Sequence, residues 1–196
     1  MITFALAVFF LIVTPGPGVL SVAGVGSAFG SGPGTRYIGG LFVGTNLVAI
    51  AVVSGVAAIV LADDRVRWVL LTASLAYLVY LAYRIATAGA RIAFKEAPKA
   101  PGFRAGVILQ TVNPKAYAVN TTLFTGFAFW PDSLAAETAL KFVIMNAIWI
   151  PIHFAWLYAG ITLHRLNLAP RIQRRVNIAM AVSMLLVIGL AMIAPK

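Results

Sequence analysis

One ammonium group lies deep inside an apolar run of this sequence. Lys115 closes the motif Thr111-Val112-Asn113-Pro114-Lys115, at least ten residues from either end of the hydrophobic stretch 105–130. An ionisable residue so placed is costly in hydrocarbon and marks a functional site by default. Lys115 could hold a solute carboxylate, exchange a proton, or cap carbonyls set free by a helix break elsewhere. Around it Gln110, Asn113, Tyr117 and Asn120 recur at spacings of 3, 4 and 3, which puts them on one face of a helix. Each of these side chains costs free energy in an apolar setting unless it meets a partner or water. A zwitterionic solute supplies both kinds of partner, since its carboxylate takes donors and its ammonium takes carbonyls. The other reading is hydrogen bonding between helices, worth about 0.6 kcal/mol per contact.

A second polar stripe runs through Asn146, Trp149, His153, Trp156 and Gly160, spaced 3, 4, 3 and 4. His153 either relays a proton or is a hydrogen-bonding residue satisfied by its neighbours. No second ligand lies at helical spacing from it, so no metal site is expected. Asn46, two positions after the small-xxx-small pair Gly40 and Gly44, either reaches the same cavity or serves close helix packing. Tyr77, Tyr80 and Arg84 read as interfacial anchors, Pro151 as a kink, and Gly26, Gly30, Gly32 and Gly34 as a flexible loop.

The elements that must position these groups are interrupted at two matching places. Thr14-Pro15-Gly16-Pro17 breaks the first apolar run as Asn113-Pro114 breaks the fourth, and a shift of 97 positions carries Thr14 onto Thr111 and Pro17 onto Pro114. Proline removes a backbone donor and clashes with the carbonyl four residues back. At bilayer depth such a break survives only where the freed groups meet protein or a water-filled cavity. Paired interruptions at corresponding positions of two halves point to a transporter's binding site. Thr14, Pro15, Gly16, Pro17 and Pro114 therefore join Asn46, Gln110, Asn113, Lys115, Tyr117, Asn120, Asn146 and His153 as candidate substrate-binding residues. Pro114 is expected to free the carbonyl of Gln110, and Pro17 and Pro114 to lie near each other.

Composition places these runs in a membrane. The 196 residues are 61% hydrophobic and 10% charged, against roughly 25% charged in soluble domains, and the mean hydropathy is +0.95. Six spans of about 20 apolar residues can be drawn at 2–24, 37–62, 66–88, 105–130, 139–162 and 176–194. No basic residue precedes Arg36 and the Thr14–Pro17 break interrupts the first run, so 1–24 reads as a retained span rather than a signal peptide. Ten Lys and Arg residues fall on the side of Arg36, Arg84, the 89–104 loop and Arg165–Arg175, and four (Arg65, Arg67, Lys141 and Lys196) on the other. The positive-inside rule makes the richer side cytoplasmic and both termini periplasmic. Three spans per half invert the second half relative to the first. The expected fold is all-α: six transmembrane helices in one transporter domain over 1–196, as two inverted three-helix repeats (1–88 and 105–196) with broken first and fourth helices. The net charge of +10 lies in short loops and offers no nucleic-acid groove. Cysteine is absent, which removes disulfides and thiolate metal sites.

With Pro15-Gly16-Pro17 in the first span and Asn113-Pro114-Lys115 in the fourth, the chain resembles the LysE/RhtB family of amino-acid exporters. Gly39-Gly40-Leu41-Phe42-Val43-Gly44, Trp156-Leu157-Tyr158-Ala159 and Arg174-Arg175 fit that family's second, fifth and sixth spans, so the likeness covers essentially the whole chain. Many relatives carry Asn or Asp after Pro-Gly-Pro where this chain has Gly18, and Asn where it has Gln110 or Thr111. The resemblance implies export of amino acids coupled to a proton gradient in the cytoplasmic membrane.

The alternatives are a polytopic membrane enzyme and a channel or scaffold. The sequence has no intramembrane carboxylate pair, no His-Glu-x-x-His and no Gly-x-Ser-x-Gly, so no catalytic residue is expected. No cofactor is expected. The expected partners are a small-molecule substrate and membrane lipid, with a homodimer left open. Without a buried carboxylate, a neutral amino acid suits the sequence better than a strongly cationic one.

Overall fold

The computed structural model describes residues 1–57, 99–130 and 132–166, with scattered positions between 62 and 83 and between 171 and 182. The expected third and sixth spans, most of the 89–104 loop, Tyr77 and Arg84 lie largely or wholly outside the described residues. Those described are helical, with no strand among them.

The first break divides its run into α1 (Ile2–Val13) and α2 (Pro17–Phe29), which meet at 52°. Pro15 and Pro17 cannot donate to the helical ladder, and Pro17 instead opens α2 at the first position, where a missing N–H costs nothing. α2 continues five residues beyond the expected end at 24, and the expected flexible glycine loop shrinks to Gly30 alone. Its φ of 81° turns the chain into α3 (Ser31–Val53). Gly26 and Gly34 lie within α2 and α3, and their missing side chains make room for Leu157: a Cβ on Gly34 would lie 2.2 Å from Leu157 Cδ1, and one on Gly26 2.7 Å from the Leu157 carbonyl oxygen. α3 starts earlier than the expected 37 and stops at Val53, ahead of Gly55 with φ 77°.

The second break gives α4 (Phe103–Val112) and α5 (Pro114–Thr125), joined at an extended Asn113. α6 (Leu134–Arg165) is 32 residues long and runs on through Pro151. Ser31–Val53 and Leu134–Leu163 are each long and apolar enough to cross a membrane, and the bent α1–α2 pair would make a third span.

Two close helix pairs organise these elements, α3 with α4 and α2 with α6. Backbone meets backbone in both. A Cβ on Gly40 would lie 1.9 Å from the Phe103 carbonyl oxygen, one on Gly106 2.3 Å from that of Tyr37, and one on Gly160 2.1 Å from that of Ala23. Small residues at helix contacts permit this approach. Outward faces are apolar, with Phe10, Ile50, Val143 and Tyr158 exposed, while Ser21, Gln110, Asn113, Asn120 and His153 are buried. Such a polar interior within an apolar surface suits a chain solvated by lipid.

Candidate functional site

The two breaks meet at one cavity. Thr14, Gly16, Gly18 and Val19 from the first break line it together with Gln110, Asn113, Lys115, Ala116, Val119 and Asn120 from the second. Leu11, Ile12, Thr45, Met145, Trp149 and His153 complete the wall. The space that admits the centre of a water-sized sphere is about 50 Å³, several times the roughly 10–15 Å³ that one water needs on the same measure. It suits a few waters or the polar end of a small solute, and a larger solute requires the walls to part.

Each break leaves a carbonyl without its helical partner, and α5 serves both. Thr14 is the last residue before the first break, and its carbonyl accepts from Lys115 Nζ at 2.6 Å. Thr111 is its counterpart 97 positions on, and its carbonyl accepts from Tyr117 Oη at 2.9 Å. The N–H of Lys115, which a continuous helix would direct to Thr111, goes instead to Asn113 Oδ1 at 3.1 Å. The carbonyl of Gln110, expected to be free, accepts from Asn113 N at 3.3 Å. The tight turn at Asn113 thus moves the vacancy from Gln110 to Thr111.

The two helix starts at the cavity differ. Asn113 caps α5 with its side chain, whereas Gly16 leads α2 with no side-chain cap. The first helical bond of α2 runs from Leu20 N to the Gly16 carbonyl, so the N–H groups of Gly18 and Val19 precede the ladder, where a helix carries orphan donors. Lys115 lies across Gly16: a Cβ there would be 2.8 Å from Lys115 Cδ and 3.0 Å from Nζ. Ser21 Oγ donates to the Gly18 carbonyl at 2.7 Å and accepts from Tyr37 Oη at 3.0 Å, which anchors the start of α2 to α3.

Across the cavity His153 is 2% exposed and stacks on Trp149 with ring centroids 3.5 Å apart. Its Nδ1 lies 2.9 Å from the Trp149 carbonyl. With the proton on Nδ1 donated there, Nε2 is the acceptor of the neutral ring. A Cβ on Gly18 would sit 3.7 Å from that Nε2 and 3.7 Å from Gln110 Oε1, so the missing side chain of Gly18 leaves the gap between them. Gln110 Oε1 accepts from Asn113 Nδ2 at 3.2 Å.

Of the candidate residues, the structure brings Thr14, Gly16, Gln110, Asn113, Lys115, Asn120 and His153 to the cavity wall. Pro15, Pro17 and Pro114 shape the breaks without lining it. Tyr117 is not among the lining residues, because its hydroxyl is turned back to Thr111. The break at Asn113 also means that the stripe 110–120 does not lie on one continuous helix. Asn46 and Asn146 pair with each other through reciprocal amide bonds of 3.1 and 2.9 Å and are absent from the wall.

Thr45, Met145 and Trp149 are lining residues that the candidate set omitted. Trp149 lay in the second stripe and was legible there; Thr45 and Met145 carried no local signal. A buried ion pair was also missed. Lys141, counted with the loops, is 2% exposed in α6 and bonds Glu137 at 2.8 Å. Glu137 accepts from the N–H groups of Phe129 and Trp130, and Lys141 donates to the Phe124 carbonyl. The pair holds the 126–130 segment against Phe4, whose ring packs 5.8 Å from Phe127 and 5.6 Å from Phe129. The i,i+4 order of Glu before Lys was the available signal.

The family model of the LysE type translocators matches residues 9–194 of this chain. No curated protein and no solved structure matches it.

Proposed function

We propose, from the premise that this chain belongs to the LysE type translocator family, that it is a secondary exporter of amino acids or similar small zwitterionic solutes. Family membership makes it a transporter, and the apolar helices make the membrane its place of work. The observation that carries the amino-acid reading is the uncapped start of α2 opening on the cavity beside the Lys115 ammonium. A helix N-terminus carries about half a positive charge, and its free N–H groups receive anions. In transporters, half-helix N-termini point at anionic substrate groups. A solute carboxylate fits this place, bridging the first N–H groups of α2 and Lys115 Nζ. No Asp or Glu lines the cavity, which favours a neutral amino acid over a cationic one.

Alternating access is the proposed mode of movement. Six spans in two inverted halves would rock about the paired breaks, with both termini outside and the 89–104 loop in the cytoplasm of a cell bounded by its inner membrane. With no nucleotide-binding motif in the sequence, an ion gradient or the solute's own gradient is left to drive export, and the likeness to proton-coupled exporters of the family makes the proton gradient the proposed one. His153, which meets the cavity with an acceptor nitrogen, is the proposed proton carrier.

Purified protein in lipid vesicles loaded with labelled amino acids tests the reading. Efflux of at least one neutral amino acid above protein-free vesicles, slowed when the pH gradient is collapsed, is expected. Absence of efflux across the whole panel overturns it. Single cysteines in this cysteine-free chain test the orientation: Asp132→Cys should react with an impermeant outside reagent and Lys99→Cys should not.

A further inference from the structure

We propose that Asn120 is the ammonium subsite of the cavity: its Oδ1 accepts the protonated amine of the solute whose carboxylate lies at Lys115, and this neutral acceptor makes the site select net-neutral amino acids over cationic ones. The inference rests on the amino-acid reading above and adds a residue, an orientation and a charge rule to it.

Asn120 is 2% exposed and lies at the cavity wall. Its Nδ2 donates to the Ala116 carbonyl at 2.8 Å. That bond fixes the amide, because the flipped rotamer would set oxygen against oxygen. Oδ1 is then the acceptor left over, and among the described residues it is the one buried side-chain nitrogen or oxygen with no hydrogen-bond partner. Buried polar atoms are nearly always paired, and an exception calls for a specific reason. Here the neighbouring amides are committed. Gln110 Oε1 takes Asn113 Nδ2, and Asn113 Oδ1 takes the N–H of Lys115. The Thr14 carbonyl takes Lys115 Nζ. Asn120 Oδ1 alone of these oxygens waits for a donor.

Its position suits the solute. Asn120 and Lys115 line the same cavity from one helix, five residues apart, so one small solute in that cavity can offer its carboxylate to the ammonium and its amine to the amide oxygen, each through a charge-assisted hydrogen bond. An amide oxygen holds one ammonium without neutralising it, so the charges that balance are Lys115 with the carboxylate. A second ammonium on the solute would meet no anion on this wall.

The experiment measures exchange of labelled alanine, serine, leucine and ornithine by the full chain in vesicles, for wild type, Asn120→Leu and Asn120→Asp, with membrane abundance and melting recorded for each. Wild type should exchange a neutral member of the panel faster than ornithine. Asn120→Leu should lower that neutral exchange about tenfold or more, the usual scale for losing a hydrogen bond to a charged group, while remaining folded. Asn120→Asp keeps the acceptor and adds a charge, so it should shift the ornithine-to-neutral ratio at least about tenfold toward ornithine. Wild-type exchange rates in Asn120→Leu, or an unchanged ratio in Asn120→Asp, overturn the subsite and leave the exporter reading standing. Preference of wild type for ornithine overturns the charge rule alone. No exchange of any panel member by wild type removes the exporter reading and the subsite with it.

Discussion

Lys115 reaches across 101 positions to donate its ammonium to the carbonyl of Thr14 at 2.6 Å. The contact joins the two helix breaks and places the cavity's cation against the first residue freed by the other half. Lys115 is therefore a cap, and in the exporter reading proposed above it is also the partner of a solute carboxylate. A carboxylate arriving at the start of α2 would compete with the Thr14 carbonyl for the same ammonium. Binding of solute would then loosen the tie between the breaks, which is what a movement of one half against the other requires.

Lys115→Met separates the two jobs. Thr14 lines the cavity, which has room for a few waters, so water can take over its carbonyl when the ammonium is gone. We expect unchanged membrane abundance and a stability loss below about 1.5 kcal/mol, at the low end for hydrogen bonds to charged groups, with efflux abolished. Thermal melting and vesicle efflux on the same preparation check this. Normal melting together with normal efflux would show that the residue does neither job.

Gly16→Ala moves the ammonium without removing it. The new Cβ would fall 2.8 Å from Lys115 Cδ and 3.0 Å from Nζ. Those atoms are the far end of a flexible side chain, and the φ of −167° at Gly16 is open to any residue. The fold should persist while Lys115 is pushed off Thr14, so efflux should drop by more than melting does. A variant with wild-type efflux would mean that the position of the ammonium is not critical.

Gly40→Ala and Gly106→Ala strike backbone instead. Their Cβ atoms would lie 1.9 Å from the Phe103 carbonyl oxygen and 2.3 Å from that of Tyr37, and neither oxygen can swing aside. The α3–α4 contact must open, with a cost at or above the roughly 1–3 kcal/mol usual for overpacking. Gly102→Ala, with nothing within 4 Å, is the control and should melt like wild type. Equal melting of all three proteins would refute the close approach of α3 and α4.

Glu137→Gln leaves Lys141 buried without its anion, and removing one member of a buried pair costs more than replacing both. The single variant should melt several degrees below wild type, and Glu137→Gln with Lys141→Met should recover part of the loss. A double variant melting lower than the single one would show that Lys141 is held chiefly by the Phe124 carbonyl and the Phe4 and Phe129 rings.

The breaks, the small-residue contacts and the lipid-facing character were determined by the sequence itself. Proline has no N–H wherever it stands, so Pro15, Pro17 and Pro114 each remove a ladder bond through their own covalent structure, although the same loss at Pro151 leaves α6 continuous. Gly40 and Gly44 announce a close helix neighbour because only a missing side chain lets backbones meet. Which groups answer the breaks was decided by tertiary structure. Tyr117 shares the 3,4,3 spacing of Gln110, Asn113 and Asn120, yet it turns to the Thr111 carbonyl, because Asn113 takes the N–H that would have filled it. Asn46 and Asn146 read as possible wall residues until packing set them face to face. Lys141 read as a loop cation until Glu137 and two phenylalanine rings enclosed it. Periodicity places a side chain on a face of its own helix. Its partner is set by which other helix lies there and at what register, and that follows from the packing of elements separated by as many as a hundred residues.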